Sequence, residues 1–526
     1  MDIEIVRALH ELHDFVNENT SQYYHTKPLV SSSSSIVLPT AVHSFDVVYG
    51  LKDLLLIGAI TESPVLMTGG TDLGKTTLAK LMMNSLFGND WHRLDFDLDF
   101  GKDAYTDISS DFFHEKGKRL SDLYSLHDWM RLPGFIADEL NGAHAKVARK
   151  ALHIIKEKDI TLPDGRRAKI GHPLDDSGNT YQYQIATINE GKDYSGTFDM
   201  DKALRRRTTI EIPMDIFKPT PLDRLLLQRS KQTDVQFSNL ENHLSMVLHI
   251  HRHLNQLNVH PVAEMFLAYL ESFDYCKHSL THEKCSVESK NGSIQHVCTQ
   301  PIRIGETAAT AAEPIGCLFM RLFVNEMCPN VSGITPGIST NLVAVARAFA
   351  LLRAVKFVEL VSGFCQGQFE HLLSYKLNRH ELFRSSMQKY IGDYNIDDKQ
   401  LAKLVVTKYI SKLEVEQCDI LAAAPFVAYS KLNISSIWIL KHYQGNRFGS
   451  VSTFINEANI KFKEGLSRPE FEQMETMIKG NVSNENISEL KAYCDSSNPW
   501  LWLVISPYLS KSKPLDNDHI KALYES

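Results

Sequence analysis

The sequence predicts an α/β core built on a mostly parallel sheet, followed by an all-helical segment and a helical C-terminal region. Three observations carry this expectation. From about residue 47 to residue 214, short β-rich runs alternate with helical patterns, as in parallel sheets whose strands are joined through helices. Within that stretch, a glycine-rich loop lies between a strand-like run and a helix-like run at residues 64–88. From Pro219 onward the apolar residues recur at helical spacing: Leu222, Leu225 and Leu226, then Leu244, Val247, Leu248 and Leu254.

Taken in order, residues 1–40 combine an amphipathic helix (Ile5, Leu9, Leu12, Phe15, Val16) with a serine run at 31–35 that reads as a linker. Residues 41–215 form the α/β core, and residues 216–378 a helical segment. The latter is interrupted at about 272–335 by a stretch rich in Cys, Thr, Ser and Gly that looks like an insertion. Helical periodicity resumes with Leu342, Val345, Phe349 and Leu352 on one face. Residues 379–526 read as further helices without a motif.

Composition narrows the function class. The 526 residues include 56 Lys and Arg against 63 Asp and Glu, a net charge of −7, which excludes a generally basic nucleic-acid coat. Eight cysteines are too sparse for a disulfide scaffold. The apolar stretches at 420–440 and 500–509 are interrupted or too short to span a bilayer, so no membrane span is expected. Asp2, Glu4, Glu11 and Asp14 leave no signal-peptide core near the start, and a cytoplasmic location is the expectation.

The chemistry begins at Gly69-Gly70-Thr71-Asp72-Leu73-Gly74-Lys75-Thr76, preceded by the apolar run Pro64-Val65-Leu66-Met67-Thr68 and followed by Leu78, Leu81, Met82 and Leu86, with Gly88 as a helix stop. This is the strand–loop–helix context that a GxxxxGK[ST] phosphate loop requires. Glycines let backbone N–H groups turn inward onto phosphate oxygens, and the helix N-terminus adds partial positive charge. Lys75 is placed to reach the β- and γ-phosphates of ATP and Thr76 to ligate Mg²⁺. The nucleotide-contacting set runs on to Thr77.

About sixty residues later, Gly134-Phe135-Ile136-Ala137-Asp138-Glu139 is an apolar strand ending in two carboxylates. At the C-terminal edge of a parallel sheet they face the ligand crevice. Asp138 is the expected second Mg²⁺ ligand, and Glu139 the group that polarises the attacking water. Residues 160–166 read as a strand and turn of a hairpin, and Tyr183-Gln184-Ile185-Ala186-Thr187-Ile188-Asn189 as a strand whose polar tip, Asn189, orients the same water. The segment from Gly196 to Arg207 ends in Arg205, Arg206 and Arg207, of which one or two are candidates for arginine fingers acting on a neighbouring subunit.

This ordered set resembles an AAA+ ATPase, and most closely the MoxR group. The resemblance is carried by the Asp138-Glu139-Leu140-Asn141 run with the helix after it, by Ala186-Thr187-Ile188-Asn189 as sensor 1, and by Tyr194-Ser195-Gly196-Thr197-Phe198 before the arginines. Val48-Tyr49-Gly50-Leu51 resembles the segment that packs against adenine, which assigns Tyr49 and Gly50 to the nucleotide site. Gly337-Ile338-Ser339-Thr340-Asn341 resembles the sensor 2 segment of a helical lid, here residues 216–378. The match is close over about 45–215 and loose over 216–378. It implies Mg-dependent ATP hydrolysis, Arg206 and Arg207 acting in trans within a ring, expected to be hexameric, and a chaperone role on a protein client. It departs from the family at Gly142 and Asn341, where the family carries arginines. The loop wording is similar to that of Clp1-type polynucleotide kinases.

Two alternatives follow from the departures. One is a polynucleotide kinase or nucleic-acid-stimulated motor, although no basic, aromatic-lined groove is evident and nucleic acid is not otherwise indicated. The other is a low-turnover ATP-binding switch, because a neutral Asn341 cannot neutralise γ-phosphate. Zinc is the less favoured reading of Cys276, His278, His282, Cys285, His296 and Cys298, whose spacing lacks the tight pairs of a structural zinc site. His249 and His253 share a helix face, but no catalytic Glu follows them.

Overall fold

The computed structural model describes residues 2–21, 23, 25, 29–38, 41–95, 106–108, 124–140, 155, 157–162, 165–175, 178–190, 205, 207–229, 241–275, 285–290, 293–298, 334–365, 385, 388–389, 391–392, 395, 397–432 and 447–466. The chain forms two compact units, both discontinuous in sequence. One comprises Met1–Asn258 with Asn341–Ser430, and the other Val259–Thr340 with Lys431–Ser526.

The first unit opens with helix α1 (Ile3–Asn19), capped by Asp2, whose carboxylate accepts the Glu4 N–H at 3.0 Å. Its apolar stripe of Ile5, Leu9, Leu12 and Val16 is buried, as the periodicity requires. The serine run read as a linker is instead part of a strand: β1 (Val30–Leu38) pairs antiparallel with β2 (Ala41–Tyr49). The nine-residue register from Val30↔Tyr49 to Leu38↔Ala41 is made through backbone groups, so it does not depend on side-chain complexity. Helix α2 (Leu51–Ile60) follows, its Gly50 N–H held by Asp53 at 2.7 Å.

The core is a five-stranded parallel sheet of β3 (Val65–Gly69), β4 (Trp91–Asp95), β7 (Gly134–Asp138), β12 (Tyr183–Asn189) and β13 (Ile210–Pro213), in the order β13-β3-β12-β7-β4. The three inner strands are buried almost throughout, which is what two covered faces demand and why they read as continuous apolar runs. Leu66, Phe135, Ala137, Ala186 and Ile188 pack in one apolar cluster of this sheet. Helix α3 (Lys75–Phe87) links β3 to β4 and stops at Gly88, whose φ of +57° suits glycine. Between the core strands lie antiparallel pairs β5 (Thr106–Ile108) with β6 (Tyr124–Leu126), β8 (Asp159–Thr161) with β9 (Arg167–Lys169), the expected hairpin, and β10 (His172–Pro173) with β11 (Thr180–Tyr181).

After the sheet come the helices α4 (Pro221–Arg229), α5 (Leu244–Leu254), α7 (Pro336–Cys365), α8 (Asp398–Ser411) and α9 (Gln417–Ala428). Arg353 of α7 is fully buried and joins α7 to α9, donating to both carboxylate oxygens of Asp419 at 3.0 and 2.9 Å. In the second unit, α6 (Pro261–Tyr275) packs on α10 (Arg447–Leu466), with Phe266 and Phe462 ring centres 5.2 Å apart. β14 (Cys285–Lys290) and β15 (Ser293–Cys298) form a hairpin inside the stretch read as an insertion. Among the described residues no helix is long and apolar enough to cross a membrane.

Candidate nucleotide-binding site

The C-terminal edge of the parallel sheet brings the sequence-predicted residues together. β3 ends at Gly69, and the loop from 70 to 74 delivers the chain to α3. Gly74, with φ of +74°, is in the left-handed region that favours glycine. A Cβ there would also lie 2.8 Å from Tyr23 Cε2, so both conformation and space require glycine. Thr71, Asp72 and Thr77 are exposed, and Leu73 is half-buried.

Lys75, the first residue of α3, is 6 % exposed and turns back into the loop. Its ammonium donates to Gly69 O at 2.8 Å, Gly70 O at 2.5 Å and Asn189 Oδ1 at 3.0 Å. Burial pushes the Lys75 pKa down, while Asp215, Glu139, Asp138 and Asp72 pull in the opposite direction.

β12 stands beside β3 with Asn189 opposite Gly69, and beside β7 with Ala186 opposite Ala137. That register joins Asn189 to two functional groups at once. Its Oδ1 accepts from Lys75, and its Nδ2 donates to Glu139 Oε1 at 3.0 Å. Glu139 has a left-handed φ of +52°, unusual for a non-glycine residue, and its N–H donates to Thr187 Oγ1 at 3.0 Å. The strained turn directs the carboxylate toward the loop edge, where Asn189 holds it.

Asp138 is 1 % exposed and saturated with donors. Its Oδ1 accepts from Thr76 Oγ1 at 2.8 Å and Thr187 Oγ1 at 2.5 Å. Its Oδ2 accepts from Arg93 Nε at 2.8 Å, and Arg93 Nη2 lies 2.7 Å away. Arg93 also donates to Asp95 at 2.8 Å. The Thr76 hydroxyl beside the Asp138 carboxylate is a hard-oxygen pair that suits Mg²⁺, and the glycine loop around the buried Lys75 ammonium suits a polyphosphate. The residues present therefore fit Mg²⁺ and ATP.

The structure adds residues that the sequence did not single out. Asp215, just past β13, accepts the Gly70 N–H at 3.2 Å, so a carboxylate occupies one donor of the phosphate cradle. Tyr23 donates to Leu73 O at 3.0 Å, and burial raises its pKa, with Asp223 adding to the rise. Arg93 and Thr187 complete the shell of Asp138.

The remaining predicted residues have the following surroundings. Tyr49 is fully buried, edge-on to Phe349 with ring centres 4.7 Å apart, and Gly50 caps α2. Asn341 is half-buried on α7, and among the described residues no hydrogen bond links it to the cluster around Lys75. Arg205 is committed within its own chain, pairing with Glu190 and with Glu211 at 2.5 Å. Arg207 is half-buried and has no ion pair among the described residues. Arg206, Asn141, Gly142 and the turn at 194–198 lie outside the described residues, as do Cys276, His278 and His282.

No family model matches the chain. No curated protein matches it. Among solved structures, a candidate ATPase from Cytophaga hutchinsonii aligns over 77 % of this chain and 96 % of its own length, at 15 % identity and a TM-score of 0.42.

Proposed function

We propose that the chain hydrolyses ATP at the edge of its parallel sheet. The observation that carries this is Asn189, whose single side chain bonds both the phosphate-loop lysine and the Glu139 carboxylate. One residue thereby sets the distance between the group that grips the terminal phosphate and the group that activates water.

In this reading Lys75 exchanges its bonds to Gly69 O, Gly70 O and Asn189 for phosphate oxygens, and the loop N–H groups close on the same oxygens. Glu139 accepts a proton from the attacking water, held in place by Asn189 and by its own turn. Thr76 and Asp138 would hold Mg²⁺, Asp138 directly or through water, and the ion would supply positive charge against the phosphate oxygens. Arg93 shares the second oxygen of Asp138 and keeps that carboxylate oriented.

Beyond hydrolysis, we read the chain as MoxR-like: a ring, expected to be hexameric, acting as a cytoplasmic chaperone on a protein client. The support is the ordered motif set and the commitment of Arg205 to Glu190 and Glu211, which leaves Arg206 and Arg207 as the fingers for a neighbouring nucleotide.

The test is ATP turnover per protomer against protein concentration, in the parent and in Glu139→Gln. Turnover should rise with concentration, and the substitution should lower it by about a hundredfold or more, the usual worth of a general base. A flat rate that Glu139→Gln leaves unchanged overturns the ring ATPase. Tight ATP binding with negligible turnover in the assembled ring is the outcome expected of the low-turnover switch.

A further inference from the structure

The inner face of α1 is committed within the protomer. Ile5, Leu9, Leu12 and Val16 are buried, and His13 sits between Asp53 Oδ1, 2.8 Å from its Nε2, and Glu359 Oε1 of α7, 3.6 Å from its Nδ1. The outer face is acidic. Glu4, Glu11 and Glu18 recur every seven residues, about two turns apart, with Arg7 and Asp14 between them, and all five are exposed. Arg7 bonds Glu4 at 3.0 Å, and Asp14 lies 3.5 Å from His10 Nε2. Among the described residues neither Glu11 nor Glu18 has an ion pair. Glu18 stands in the last turn, the end of a helix where a carboxylate is least favourable.

Helix α8 carries the opposite charge. From 399 to 413 the chain has Lys399, Lys403, Lys408 and Lys412 and no carboxylate. Lys399, Lys403 and Lys412 are exposed and have no ion pair among the described residues. Leu404, beside Lys403, is 44 % exposed. The helix itself does not favour this pattern. Lys399 and Lys403 are four residues apart, as are Lys408 and Lys412, a like-charge spacing that opposes helix formation. The helix dipole accounts for Lys408 and Lys412 at the C-terminal end, but it disfavours Lys399 in the first turn. The two charged faces also match in length. At a rise of about 1.5 Å per residue, Glu4 to Glu18 spans about 21 Å and Lys399 to Lys412 about 20 Å.

We propose that the acidic face of α1 in one copy of the chain docks on the basic face of α8 in a second copy. The charges are complementary, the spans are equal, and both faces belong to one compact unit, so every copy presents both. Exposed ion pairs are individually weak, but several in register steer an encounter and fix its orientation. The contact is therefore salt-sensitive, with Leu404 as an apolar point within the lysine face. It is distinct from the approach of Arg207 to a neighbouring nucleotide, and it stands whether or not the chain hydrolyses ATP.

The experiment is sedimentation velocity of the nucleotide-free full chain over a range of concentrations, at about 30 mM and about 500 mM salt. The parent should self-associate at low salt, and high salt should weaken that association at least tenfold. Two double variants reverse one face each: Glu11→Lys with Glu18→Lys, and Lys399→Glu with Lys403→Glu. Each should self-associate at least tenfold more weakly than the parent. An equimolar mixture of the two should recover parent-like association, because every acidic face then meets a basic one. Folding should survive, since Glu18→Lys and Lys399→Glu place each charge at the helix end that favours it, and Tm checks this. If a reversal fails to fold, Glu11→Gln with Glu18→Gln removes the acidic charge at the same exposed positions and should also weaken association. A parent that stays monomeric at low salt, an association that salt leaves unchanged, folded variants with parent-like association, or a mixture no tighter than its components overturns the contact.

Discussion

Asp215 should weaken nucleotide binding, and removing its charge should strengthen it. The carboxylate accepts the Gly70 N–H at 3.2 Å, so an incoming phosphate must displace it from a cradle donor. Its side chain is 48 % exposed, which places the interaction in a largely aqueous dielectric. Two unit charges about 6 Å apart in water repel by about 0.7 kcal/mol, and physiological salt roughly halves that. Two phosphate charges at such a distance therefore cost about 0.7 kcal/mol. Freeing the N–H adds about 1 kcal/mol, the net worth of a typical hydrogen bond. Asp215→Asn, which removes the charge and keeps an acceptor, should tighten ATP and ADP binding by about threefold, and Asp215→Ala by about tenfold or more. Equilibrium binding of a fluorescent nucleotide, without Mg²⁺ and at two salt concentrations, reads this directly. The Asn gain should shrink at high salt, and the further Ala gain should not. Parent-like or weaker affinity in both variants would refute the reasoning, because it would make Asp215 part of the nucleotide cradle rather than its competitor.

Lys52 and the arginine cluster give further tests. Burial lowers the Lys52 pKa to about 8, opposed by Asp53, so in that window the unfolded chain holds more protons than the native one and stability from this group rises with pH. Lys52→Met should therefore be more stable than the parent at pH 7 in thermal melts, an advantage that shrinks between pH 8 and the ordinary lysine range. Thr20 O, which Lys52 bonds at 2.8 Å, keeps the Tyr23 N–H at 2.9 Å in that variant. Arg205→Ala should lower Tm and leave the concentration dependence of turnover in place, since its partners are Glu190 and Glu211 of the same chain. Arg207→Ala should do the reverse, abolishing the rise of turnover with concentration at nearly unchanged Tm.

The sequence made the candidate nucleotide site legible where its parts are contiguous. The loop at 69–76, the Asp138-Glu139 pair and Asn189 each end an apolar strand run, and parallel strands place such ends along one edge. What it concealed depends on which strands become neighbours. Arg93 reaches Asp138 because β4 lies beside β7 with Asp95 opposite Asp138, a pairing that no spacing along the chain encodes. Asp215 and Tyr23 meet the loop from segments more than 140 residues after Gly70 and 50 before Leu73, and neither carries a motif. The serine strand was hidden for another reason: its register is supplied by its partner, and its own composition lacks alternation. His13 was visible only as one polar position on an amphipathic helix, since Asp53 and Glu359 approach it from two other helices.

The commitments of the arginines bear on how phosphate charge would be met in the proposed hydrolysis. Arg93 is tied to Asp138 and Asp95, and Arg205 to Glu190 and Glu211. Arg347 spends its guanidinium on Leu257 O and Asn255 Oδ1, at 3.1 and 2.7 Å. Arg353 is buried among Asp419, Glu416, Tyr409 and Glu414 O. Withdrawing it would strand a buried carboxylate, at a cost of about 3–5 kcal/mol, so it is structural. Among these groups, Lys75 is the cation directed into the phosphate loop. A loose phosphoryl transition state spreads charge over three oxygens, more than one ammonium and one metal ion contact. If a neighbouring protomer supplies a further cation, as proposed for Arg207, turnover should follow assembly.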